Sequence, residues 1–305
     1  MFGKAVIRDM ISRSAENETD RRIFLKSAGV AGLGVIGAGA ATTLTAGSAS
    51  AAGPSDGAIL NFALNLEYLE AEFYQQAAFG MGLSDKMTSG KGNKGGVKGG
   101  RKVKFDTPAV EKYAKEIAMD ELDHVRFLRS ALGGAKVARP AIDIQASFTA
   151  AARAAKLVGP NQKFDPYANE NNFLLAAFIF EDVGVTAYKG AAPLINNKTY
   201  LEAAAGILAV EAYHAGIVRT ALYAKDLYGA ARKISNARDS LDGTSDLDKG
   251  IGTRRTANLV PTDRNGLVYS RSAGQVLNVV YLNPKSVTRG GFFPAGVNGV
   301  INKSS

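Results

Sequence analysis

The histidines constrain this chain more than any other residue type. There are two in 305 residues, and each stands three places after a glutamate, in Glu121-Leu-Asp-His124 and Glu211-Ala-Tyr-His214. On a helix that spacing puts carboxylate and imidazole on one face, one turn apart. The chain has 12 glutamates, so two independent histidines would both be placed this way roughly once in 600. Two further glutamates stand among apolar residues: Glu67 on a helical face with Leu60, Ala63, Leu64, Ala71 and Tyr74, and Glu181 directly after Phe178-Ile179-Phe180. An unpaired carboxylate in such a run costs several kcal/mol, so it needs a partner inside the fold. Each of these glutamates is followed seven residues on by a tyrosine, Tyr74 and Tyr188. The chain thus repeats one unit twice, Glu-x6-Tyr on one segment and Glu-x-x-His on the next.

The segments carrying these residues have helical periodicity and recognisable ends. The first runs from about Ser55 to Phe79, with Ser55 or Asp56 as its cap. The second starts at Thr107-Pro108, with proline at the first helical position, and ends at Gly133-Gly134. The third runs from about Asn171 to Ala192, before Pro193. The fourth opens with Thr199-x-x-Glu202, read as a capping box, and continues to Gly229. The connection between the second and third, roughly 135–170, is long, with a short helix expected near Ala146–Leu157. Four helices with one long crossover predict an all-α four-helix bundle spanning 52–229. Residues 86–104, between the first two helices, hold seven basic residues and no acid, and are read as a flexible, solvated Lys/Gly-rich insertion. After Gly229 the sequence is irregular, with short helices predicted over Ala231–Leu241 and from Ser272-x-x-Gln275 to Tyr281. Residues 230–305 are expected to pack on the bundle as an appendage.

One glutamate from each of two helices and Glu-x-x-His from each of the other two is the donor set of a dinuclear carboxylate site. The expected metal ligands are Glu67, Glu121, His124, Glu181, Glu211 and His214. Glu121 and Glu211 are placed to bridge, Glu67 and Glu181 to end the site. Glu70, one turn along, is the alternative on the first helix, and Glu72 falls off its face. Asp120 is expected to accept a histidine N–H from outside the ligand set. Position 210 on the fourth helix is Val, so the two halves are not equivalent. Tyr74 and Tyr188 read as core aromatics. Carboxylates and imidazoles without thiolates favour two iron or manganese ions over zinc. The chain has no cysteine.

The net charge of +9 owes much to residues 86–104 and does not argue for nucleic acid. Asp20-Arg21-Arg22-Ile23-Phe24-Leu25-Lys26 resembles a twin-arginine export signal, with Asp20 where Ser or Thr is usual. A Gly/Ala-rich run follows to Gly47, and Ala49-Ser50-Ala51 offers a cleavage site. Residues 1–51 are therefore expected to be removed, leaving +7, no stable membrane span and a periplasmic or secreted protein.

Leu60 to Tyr74, Asn172 to Tyr188, Ser270 to Tyr281 and Gly290-Gly-Phe-Phe-Pro294 resemble the corresponding parts of the ferritin-like proteins related to plant desiccation-related proteins. The resemblance covers roughly 55–300. It implies a ferritin-like bundle and an extracytoplasmic or stress-related role, and it leaves the chemistry open. Three functions follow. The first is a di-iron or di-manganese oxidoreductase acting on oxygen, peroxide or ferrous iron. The second is a non-catalytic desiccation or cell-surface interaction protein with a structural or vestigial metal. The third is an iron-storage cage, which the insertion and tail disfavour. A homo-oligomer is compatible with each.

Overall fold

In a computed structural model, residues 53–305 are described. The expected export segment lies outside them. Eight helices are found among the described residues: α1 Asp56–Phe79, α2 Asp85–Thr88, α3 Pro108–Leu132, α4 Ala146–Ala154, α5 Glu170–Ala191, α6 Lys198–Ala224, α7 Tyr228–Asp239 and α8 Ala273–Val280. The strands are two residues each: β1 Val97–Lys98 parallel to β2 Ile142–Asp143, and β3 Gly252–Thr253 antiparallel to β4 Thr256–Ala257.

The bundle is α1, α3, α5 and α6, and side-chain bonds give its directions. Asn61 donates to Ala135 O just past α3, whereas Gln75 donates to Ala118 O within it, so α1 and α3 are antiparallel. Tyr74 of α1 donates to Glu181 of α5, and Tyr188 of α5 donates to Glu67 of α1. These two helices are also antiparallel, which leaves α3 and α5 parallel. Parallel neighbours in sequence need a connection as long as the bundle, and residues 133–169 supply it. This is the predicted all-α, ferritin-like arrangement with its crossover between the second and third bundle helices.

Helix ends follow local chemistry, with two departures from expectation. The fourth bundle helix is capped by Asn197, whose Oδ1 accepts from Thr199 N and Tyr200 N, and not by Thr199. It stops at Ala224, because Asp226 takes a left-handed φ of 57° and the chain restarts as α7. Thr107 makes no cap bond within α3. Instead Glu170 crosses over to accept from Asp106 N and Thr107 N, and Lys225 lies 2.6 Å from it. The capping box of Ser272 and Gln275 on α8 is present.

The Lys/Gly-rich segment departs most. It is not a free loop, because its backbone runs beside residues 136–144. Lys91 N donates to Lys136 O, Gly95 N to Arg139 O and Ile144 N to Lys98 O. Glycine is what permits this approach: a Cβ on Gly95 would meet the Ala141 backbone well inside 3.0 Å. Lys91, Lys94, Lys98, Arg101, Lys102 and Lys104 remain exposed on the outside.

The C-terminal segment enters the main core. Val276, Leu277, Phe292 and Phe293 are buried in the same cluster as the bundle, and the Phe292 ring lies 4.9 Å from Phe180 and 5.0 Å from Phe148. Ion pairs reinforce the junction. Arg219 of α6 and Arg238 of α7 both reach Asp182 of α5, at 2.7 and 2.8 Å. Arg238 also reaches Asp248 at 2.5 Å, and Arg271 binds Asp242 and Asp248. By length and composition α6 could cross a membrane, yet it sits in the bundle with Glu211, His214 and Arg219 on its buried side.

Candidate metal centre

The residues of the repeated unit meet midway along the bundle. Glu67, Glu121, His124 and Glu211 offer donor atoms within 4.8 Å of one another, and Glu121, Glu181 and His214 form a second such group. All six are buried. His124 Nδ1 lies 3.1 Å from Glu67 Oε2, 3.5 Å from Glu121 Oε2 and 3.6 Å from Glu211 Oε1. His214 Nδ1 lies 3.0 Å from Glu121 Oε1 and 3.7 Å from Glu181 Oε2. Glu121 is therefore common to both groups, one oxygen toward each histidine. Glu211 is grouped only with the His124 half.

The tyrosines do more than fill the core. Tyr74 and Tyr188 cross between α1 and α5, each holding the other helix's glutamate by its second oxygen. The seven-residue spacing was legible, but its consequence needed the antiparallel pairing. Asp120 Oδ2 lies 3.2 Å from Nε2 of His214, on the opposite helix, and not from His124, its neighbour in sequence. Glu72 is turned away from the centre but is not solvated: Arg139 pairs with it and Leu83 N donates to it at 3.2 Å. Glu70 stays near the centre. A Cβ built on Gly184 would lie 3.1 Å from Glu211 Cδ and 3.6 Å from Glu70 Oε1.

Five carboxyl groups in this volume cannot all ionise freely. Burial raises Glu67 to about 7 and Glu181 to about 8, against the pull of His124 and His214 respectively. Glu70 and Glu211 are raised well above the carboxylate range, by burial first and then by the other glutamates. Glu121 moves the other way: burial opposes it, but the two histidines hold it well below its ordinary value. Burial would lower both histidines, yet the carboxylates outweigh it. His214 rises to about 10, through Asp120 and Glu121 first, and His124 rises well above its usual value.

The buried polar atoms that lack a hydrogen bond test whether a cation fits here. Both oxygens of Glu121, both of Glu211, Oε2 of Glu181 and Nδ1 of His214 have none. Buried polar atoms are rarely left in this state, and these six converge on one volume. Such donors suit oxygen- and nitrogen-seeking ions such as iron or manganese.

A four-helix bundle whose interior collects carboxylates and imidazoles defines a class of protein, and comparison with known sequences narrows it. The ferritin-like domain family matches residues 55–224, and the chain belongs to that family. It is 34% identical over 243 residues to desiccation-related protein PCC13-62 of Craterostigma plantagineum, covering 73% of this chain and 76% of that one. It is 29% identical over 267 residues to ferritin-like catalase Nec2 of Nesocodon mauritianus, covering 80% and 83%. No solved structure matches the chain.

Proposed function

We propose that this protein holds two iron or manganese ions in the bundle and consumes peroxide. The observation that carries the reading is the convergence of six unpaired buried donor atoms on Glu121, Glu181, Glu211 and His214. In the proposed centre Glu121, common to both donor groups, would be shared between the ions, with Glu211 on the His124 side. His124 and Glu67 would hold one ion, and His214 and Glu181 the other. Two adjacent redox ions supply the two-electron capacity needed to turn two H2O2 into two H2O and one O2. The protein supplies position. Tyr74 and Tyr188 each hold one oxygen of Glu181 and Glu67, so that the other turns inward, toward His214 and His124 respectively. Asp120 fixes the His214 ring by its outer nitrogen, so that Nδ1 faces the centre. The apolar lining keeps bulk water away. The relative named as a ferritin-like catalase favours peroxide over ferrous iron as substrate.

The test is metal analysis of protein purified without chelator, beside a His124→Ala/His214→Ala variant. About two ions per chain in the parent and few in the variant are expected for a six-ligand centre. A parent that stays empty on reconstitution refutes the reading.

The relative named as desiccation-related supports a second reading, a protective protein in which any metal is structural. The same double variant separates the two, because it would then keep its protective effect on drying cells while losing metal. Export through Arg21-Arg22 belongs to both readings. An Arg21→Lys/Arg22→Lys chain should stay inside the cell on fractionation.

A further inference from the structure

Beside the centre, α1, α5 and the C-terminal segment enclose a cavity of about 20 Å³, lined by Leu66, Leu69, Phe180, Val183, Val280 and Phe292. That is room for about one water-sized molecule. One side chain in the lining is not apolar. Glu70 is 6% exposed, and it makes no hydrogen bond to any described residue. The cavity meets the centre at Gly184. A Cβ there would fall well inside 3.0 Å of Glu211 Oε2 and 3.6 Å from Glu70 Oε1. Two costly features thus coincide: a glycine in the middle of a buried helix and a carboxyl group buried without a partner. Glu211 itself accounts for the glycine, since its carboxylate lies where the Cβ would be, and the unbonded Glu70 is accounted for if the cavity in front of it holds a ligand.

The surroundings select its chemistry. An anion would face the Glu70 carboxyl group, with no basic side chain in the lining to offset it. A metal cation would find too few oxygens, since everything else in the lining is hydrocarbon. Dioxygen would leave Glu70 unpartnered. A small neutral molecule with hydrogen-bonding ends satisfies each condition. We propose that this cavity is an antechamber for hydrogen peroxide, which binds to Glu70 beside Gly184 before reaching the ions. The proposal rests on the peroxide-consuming reading and gives Glu70, the alternative ligand on the first helix, a role in binding substrate instead. It also gives the C-terminal segment a role, since Val280 and Phe292 close the far side.

The experiment has two arms. Crystals of metal-free protein are soaked in hydrogen peroxide, for the parent and for Glu70→Leu. Two-atom density against Glu70 is expected in the parent and none in the variant. Metal-loaded samples of both are then assayed. Glu70→Leu should raise KM for peroxide about five- to tenfold, the effect of one lost hydrogen bond. Val280→Phe, which fills the cavity from the C-terminal side, should raise KM in the same way. A parent crystal without that density, or a KM unmoved in both variants, overturns the antechamber. Metal content of the same samples judges the centre separately. An empty parent would remove the dinuclear reading, and the soak would still decide the cavity.

Discussion

Gly184 is the position where one methyl group should separate folding from metal binding. In isolation, Gly→Ala within a helix stabilises by about 1 kcal/mol. Here the added carbon would fall well inside 3.0 Å of Glu211 Oε2 and 3.1 Å from Glu211 Cδ. Ordinary carbon–oxygen contact needs about 3.3 Å or more, so the carboxylate must withdraw by about 1 Å. It is the free end of a flexible side chain, and without metal it can swing aside at little cost. Metal-free Gly184→Ala should therefore melt at the parent's temperature or up to about 4 °C above it. Metal binding should suffer, because Glu211 is displaced from the donor cluster. A loss of about 10- to 100-fold in affinity is expected, the range seen when a ligand's support is disturbed. Calorimetric melting of the metal-free protein and competition with a chelator for iron or manganese read the two effects separately. A variant that binds metal as tightly as the parent would refute the argument. A metal-free variant destabilised by several kcal/mol would show that the Glu211 side chain cannot move, and refute it from the other side.

Three further outcomes follow from the same geometry. Tyr74→Phe and Tyr188→Phe each free one glutamate oxygen, so each should weaken metal binding about tenfold while leaving the fold intact by circular dichroism; unchanged affinity would reduce the tyrosines to packing. Arg271→Met strands Asp242 in the interior and leaves Asp248 with Arg238 alone; it should cost about 3–5 kcal/mol in urea unfolding, whereas a loss under 1 kcal/mol would mean that the C-terminal segment does not depend on the ion pairs. The metal-free protein should lose stability as pH rises: Glu67 at about 7 and Glu181 at about 8 lie above their ordinary 4.5, so each stabilises fully below that value and progressively less as pH rises through 7 and 8. His214, raised from 6.5 to about 10, acts in the same direction: its contribution is full below 6.5 and is lost progressively as pH rises to about 10. Melting temperatures that rise between about pH 5 and 8 would contradict this assignment.

What the sequence determined by itself was local and periodic. Glu121 with His124 and Glu211 with His214 share helix faces by spacing alone, and the apolar runs around Glu67 and Glu181 marked both as interior. The twofold repeat of the unit, with one long connection, was enough for a four-helix bundle. What only the tertiary structure decided was partnership across elements. Asp120 serves the histidine on the opposite helix, and each tyrosine holds the other helix's glutamate, because α1 and α5 run antiparallel. The Lys/Gly-rich segment reads as solvated by composition, yet its backbone is held by residues 136–144, a pairing no local pattern encodes. Gly184 and Glu70 look unremarkable in the chain. They gain meaning only where packing brings Gly184 against Glu211 and leaves Glu70 facing a cavity closed by residues more than two hundred positions further on. Spacing fixes which side chains share a face, whereas what that face meets depends on how the helices pack, and that is set by the whole core at once.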